Sequence, residues 1–231
     1  MNASVPGLKY IKDNKPLWMT MAFVAVLTVG TFLTVLVFLG IYSYGNPDPN
    51  SCWVIRDMEN TERTREAVIA SATALGVEIT EGYPMEIHRV FKTWFRWGFW
   101  ASLTFLILCC IIGPITAKTG SKVGQMLGWI NMGLFCSNSL VWIAFGAIWR
   151  FSKAGSVASG DKLERLYGTS DADWNQQMTA ASEANGYQFK SGMFMKVYLI
   201  LMCWVLGLVI LGFIIACLTM AMCDPREKKD G

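Results

Sequence analysis

The sequence predicts an all-α membrane protein, a four-transmembrane-helix bundle whose two structured extracytoplasmic loops form a small cap. Three observations carry this reading. Four runs, Leu17 to Tyr44, Trp97 to Ile115, Met126 to Trp149 and Val197 to Met222, contain no Asp, Glu, Lys, Arg or His. Each reaches the ~17–25 residues a helix needs to cross roughly 30 Å of hydrocarbon, where a backbone outside a helix or closed barrel finds no hydrogen-bond partners. Only 16% of the 231 residues are charged, against about a quarter in a soluble domain. The runs divide the chain into an N-terminal tail 1–16, spans 17–44, 97–115, 126–149 and 197–222, loops 45–96 and 150–196, a short connection 116–125, and a C-terminal tail 223–231.

Orientation follows the Lys and Arg residues closest to the spans. The first tail carries Lys9, Lys12 and Lys15 against Asp13, the short connection Lys118 and Lys122, and the last tail Arg226, Lys228 and Lys229. Loop 45–96 sets eight acids against Arg56, Arg63, Arg65, Arg89, Lys92 and Arg96. Both termini are therefore expected in the cytoplasm, although Arg89, Lys92 and Arg96 run against the trend. The first span is too long for a secretory h-region and reads as an uncleaved anchor. A multi-pass protein results, with the plasma membrane as the favoured location.

Within loop 45–96, the prolines of Gly45-Asn46-Pro47-Asp48-Pro49-Asn50 should stop the first helix. Thr61 to Leu75 reads as a helix closed by Gly76, Val77 to Thr80 as a short strand, and Gly82-Tyr83-Pro84 as a turn. From Met85 to Trp100 aromatics alternate with cations, the pattern of a headgroup layer in which rings anchor and basic stems snorkel, so Trp94, Trp97 and Trp100 are expected to be interfacial anchors. Pro114 is expected to bend or end the second helix. In loop 150–196, Lys162 to Tyr167 and Trp174 to Ala184 read as short helices, the second stopped by Asn185-Gly186.

Asn131 and Asn138, seven residues apart in the third run, fall near one helix face. Amides in hydrocarbon usually face protein, so these are helix-packing or pore candidates. Five of the seven cysteines lie in runs, Cys223 lies at the inner boundary as a lipidation candidate, and Cys52 is alone in the loops. Cys52 is thus a buried free thiol or an intermolecular disulfide.

No catalytic residues, metal ligands or cofactor are expected. The single histidine, His88, lies in a loop, Cys109 and Cys110 point about 100° apart on a helix, and Asp171 and Asp173 suit a helix's first turn. No phosphate-binding glycine loop or nucleophile elbow appears. The runs also lack the ionisable groups that active transporters and voltage sensors keep at membrane depth.

Cytoplasmic termini, two structured external loops and a short inner connection give a layout that resembles claudin-type four-span proteins. That family's first loop carries a W-x-x-x-W-like signature with two cysteines, whereas this loop offers Cys52-Trp53 alone. The resemblance is one of architecture, and no site residues are carried over. The expected function is that of a non-enzymatic structural, assembly or accessory subunit. It would act through lateral helix packing and its external loops, with membrane lipids and copies of itself or a membrane-protein complex as partners and no nucleic acid. The alternative is a pore-forming or regulatory subunit of an oligomeric channel, with Asn131 and Asn138 facing a conduit.

Overall fold

The computed structural model describes residues 15–45, 47–55, 61–77, 84–119 and 122–222. The strand expected over 77–80 falls largely outside these residues, as do most of the N-terminal tail and all of the C-terminal tail with Cys223; the described Val77 has no regular structure.

Helix accounts for 79% of the described residues, and the one small sheet among them is a local addition to a helical frame. Helix α1 spans Lys15–Gly40 and continues into a π-helical turn, Ile41–Gly45, where the buried Ser43 hydroxyl donates to the Leu39 carbonyl at 2.6 Å. Strands β1 (Trp53–Ile55), β2 (Thr61–Glu62) and β3 (Pro84–Glu86) form an antiparallel sheet in the order β2-β1-β3. Val54 pairs with Thr61 on one side and Met85 on the other. Pro84 costs no ladder bond because β3 is an edge strand.

Helix α2 spans Arg65–Ala74 and lays Val68 and Ala72 against Ile55. Its N-cap is Thr64, whose hydroxyl accepts from the Ala67 amide, so the helix starts later than the expected Thr61. Thr61 and Glu62 are drawn instead into the sheet.

Helix α3 runs over Ile87–Thr119 and α4 over Lys122–Phe151. The α3 helix begins ten residues before the apolar run and carries through Pro114 to Thr119, so of the two expected effects, bending or ending the helix, the ending does not occur. Within α3 and α4, Ile87–Pro114 and Lys122–Phe151 are long and apolar enough to cross a membrane. They form an antiparallel hairpin held along its length. Trp94 stacks on Trp142 at 4.3 Å, and Phe105 stacks on Phe135 at 4.1 Å. Gly124 lies so close to Thr116 that a Cβ would come within 2.6 Å of its hydroxyl.

Among the described residues the remaining helices are α5 (Lys153–Ala158), α6 (Asp171–Asn185) and α7 (Phe189–Met222). Lys162 to Tyr167 is not helical, contrary to the sequence expectation. The Arg165 guanidinium folds onto the Thr169 carbonyl and closes a tight loop in place of a helical turn. The expected helix after Ser170 is present. The Ser170 hydroxyl accepts from the Asp173 amide, and Gly186 ends the helix at φ 78°, a conformation glycine adopts without strain.

The main core lies where the long connections meet the long helices. Leu39 of α1, Val54 of β1, Phe91 and Trp94 of α3, Trp142 of α4 and Leu199 of α7 share it. Sheet and helices therefore bury one another. Helix α1 joins the hairpin through Phe32, which packs edge-on against Phe105 and Phe135, and α7 joins through Tyr198 against Trp142. Away from these contacts large apolar side chains point outward, including Phe23, Trp129, Leu134 and Trp204, with Trp129 78% exposed. Apolar surface of this extent marks contact with lipid or protein.

Candidate functional site

Three tethers fasten the long connections to the ends of the helices. In the first, Asp48 is buried after the π turn and accepts from the backbone amides of Lys190 and Ser191, at 3.0 and 2.7 Å, and from the Ser191 hydroxyl. These are first-turn donors of α7, which have no intrahelical acceptor. A carboxylate there satisfies them and complements the helix dipole. The cap comes from more than 140 residues away in sequence, so it locks the start of the first loop onto the last helix.

The second tether centres on Gln188, which is 1% exposed. Its side-chain amide donates to the carbonyls of Pro49 and Gly186, its backbone amide donates to the Ala158 carbonyl, and its Oε1 lies 3.0 Å from His88 Nδ1. An acceptor oxygen facing Nδ1 makes that nitrogen the donor of the bond. His88 is thus a structural link between α3 and the start of α7.

The third tether is an ion pair. Arg150, in the last turn of α4, is 1% exposed and forks onto Asp161 with bonds of 2.8 and 3.0 Å. Its Nε donates to the Gly192 carbonyl at 2.7 Å, and Lys196 reaches Asp161 at 3.3 Å. Burial works to raise the Asp161 pKa, but the hydrogen bonds and charges of Arg150 and Lys196 outweigh it and hold the carboxyl below its usual range. Burying a guanidinium is tolerable when a bidentate carboxylate and a carbonyl occupy its donors.

The expected site residues divide sharply. Trp94 is fully buried, and this corrects its reading as an interfacial anchor. Its indole N–H donates to the Trp142 carbonyl at 2.8 Å, and the Trp142 indole N–H donates to the Trp94 carbonyl at 2.9 Å. Glycine four residues after each Trp makes this possible. A Cβ at Gly98 would sit 2.2 Å from the Trp142 ring, and one at Gly146 would sit 2.5 Å from Trp94 Nε1. Trp97 is half-buried and donates to Asn138 Oδ1 at 3.0 Å, while Trp100 is 56% exposed and donates to the Tyr44 hydroxyl at 2.8 Å. Asn131 donates to Cys109 Sγ at 3.6 Å. Both asparagines therefore connect α4 to α3 within one chain.

Cys52 has no exposed surface. Burial, reinforced by the charge of Asp48, pushes its thiol pKa up. Of the two roles left open for it, the placement suits the free thiol, since an intermolecular disulfide has no path to it in the folded chain.

Sequence reasoning missed Arg150, Asp48, Asp161 and Gln188. A signal for Arg150 was present, because Trp142, Gly146 and Arg150 recur every four residues and share one helix face. The other three meet their partners only through long-range folding.

Beside the first tether lies a cleft of about 280 Å³, bordered by Pro47, Pro49, Arg63, Glu183 and Lys190. Among the described residues, no three His, Cys, Asp or Glu side chains converge as a metal site would require. No protein-family model, curated protein or solved structure matches the chain, so the architectural likeness to claudin-type proteins gains no family support.

Proposed function

We propose that this chain is a non-enzymatic, four-span integral membrane protein that serves as a structural, assembly or accessory subunit. In this reading α1, α3, α4 and α7 cross the bilayer, both termini are cytoplasmic, and the segments between α1 and α3 and between α4 and α7 form an external cap. Supporting it are the two helices apolar enough to span and the outward-facing apolar side chains on all four long helices.

The observation that carries the functional part is the bracing. Asp48 and Gln188 fasten the first loop to α7, while the Arg150–Asp161 pair fastens the second to α4. A cap clamped in this way is a rigid platform suited to presenting a fixed surface to a partner, and little ordering entropy remains to be lost on docking. The placement of Asn131 and Asn138 against α3 favours a packing role over a conduit.

Native mass measurement of protein extracted in mild detergent, followed by imaging, tests the proposal. A homo-oligomer or a stoichiometric membrane-protein complex is the expected result. A lone 25.8 kDa chain, substrate turnover by the purified chain, or an ionic current altered by Asn138→Leu would overturn it.

A further inference from the structure

Arg89, Lys92 and Arg96 follow one another at spacings of three and four on α3 and so share one face of the helix. Arg150 and Lys196 pair with Asp161, and Arg165 pairs with Asp171, whereas none of the three α3 cations is ion-paired among the described residues. Arg89 and Arg96 are exposed and Lys92 partly so.

The row of cations ends on an ordered aromatic cluster. The Arg96 guanidinium lies 5.5 Å from the centre of the Tyr44 ring, the Tyr44 hydroxyl accepts from Trp100, and Phe99 packs edge-on against both rings. Below the cluster the character of the surface changes. Ile107 and Ile111 continue the same α3 face, and Ile41 and Val37 descend from Tyr44 along α1, all about half exposed or more. Gly40 lets Phe99 approach α1 closely, which joins these two apolar stripes into one seam.

Cations above, amphipathic rings at the boundary and paired apolar stripes below match the parts of a phospholipid in order. We propose that the α1–α3 seam is a binding site for an anionic phospholipid. Arg89, Lys92 and Arg96 hold the headgroup oxygens, Tyr44 and Trp100 sit at the glycerol level, and the acyl chains lie along Val37, Ile41, Ile107 and Ile111. This assignment rests on the reading that α1 and α3 cross the membrane. It also gives a local reason for three cations on the side where the charge rule disfavours them.

The test compares wild type with the Arg89→Gln/Lys92→Gln/Arg96→Gln variant in nanodiscs of phosphatidylcholine with added phosphatidylglycerol, using native mass spectrometry to count retained lipids. Wild type should retain phosphatidylglycerol preferentially, and the preference should fall by roughly fivefold per cation removed. Equal retention of both lipids by wild type, or an undiminished preference in the variant, would overturn the proposal. Displacement of the bound lipid by millimolar inorganic phosphate would assign the cations to a soluble anion instead. Loss of a co-purifying protein with lipid retention unchanged would assign them to an acidic partner. Alkaline extraction of membranes separates the two readings, because release of wild type by alkali refutes the membrane assignment itself.

Discussion

Trp94 and Trp142 hold one another by the same bond made twice, each indole N–H donating to the other's backbone carbonyl while the two rings stack at 4.3 Å. A helical carbonyl points toward the residue four positions on, and here both of those residues are glycines, Gly98 and Gly146. The missing Cβ uncovers each carbonyl's second lone pair and lets the facing ring settle over the backbone. Both indole donors are thereby satisfied in a dry environment, where an unpaired N–H is costly.

Gly98→Ala and Gly146→Ala should therefore destabilise the protein more than an alanine elsewhere in these helices would. Each introduced methyl meets a ring within van der Waals distance, and overpacking of this kind costs about 1–3 kcal/mol. Thermal unfolding in detergent measures it. Because the two halves share the Trp pair, the double variant should lose less than the sum of the single losses.

Asp48→Ala should release the first turn of α7, at a cost of about 0.5–2 kcal/mol for the lost cap. Hydrogen exchange at the Lys190 and Ser191 amides reads this directly. Both should exchange faster in the variant, with amides deep in α3 unchanged.

The Arg150–Asp161 pair gives a pH dependence whose sign is fixed. The folded pKa of Asp161 is lowered from its ordinary value of about 3.9, so its stabilising contribution is complete above that value and is lost as pH falls through the folded pKa. Asp161→Asn leaves the buried guanidinium without its countercharge and should cost about 3 kcal/mol at neutral pH. Chemical unfolding from pH 7 downward should show the gap between wild type and variant constant to about pH 5 and shrinking below about pH 4.

Asn138→Leu should strand the Trp97 indole N–H and weaken the α3–α4 contact by ~1 kcal/mol while leaving insertion intact. An unfolding midpoint equal to that of wild type would contradict this. Cys52, by contrast, should resist maleimide until the chain is unfolded, and non-reducing gels should show no dimer that Cys52→Ser abolishes.

Charge-free runs made the long helices legible, because an apolar stretch of that length has few physical solutions. The faces they bury were not. The residues from Ile87 to Arg96 read as an aromatic belt that extends the second helix outward; the α3 helix does include them, yet it turns Phe91, Trp94 and Phe95 inward. Composition shows that Trp94 and Trp100 are alike, and only the face opposite Trp142 makes one a core residue and the other an exposed one. The sheet was missed because strands of two or three residues carry no periodicity, and their pairing joins Trp53 to Glu86 across a long loop. The tethers were hidden for the same reason, since an Asp beside two prolines looks like a turn former until Ser191 is seen beneath it.

The proposed function depends on four crossings that leave the braced segments on one face and both termini on the other. Tyr167, fully exposed at the tip of the second long connection, provides the handle. A Tyr167→Cys variant carrying a C-terminal tag should react with a membrane-impermeant maleimide on intact cells, while the tag becomes reachable by antibody only after permeabilisation. A tag readable on intact cells together with a labelled Cys at 167 would contradict the four-span arrangement and, with it, the external platform on which the proposed function depends.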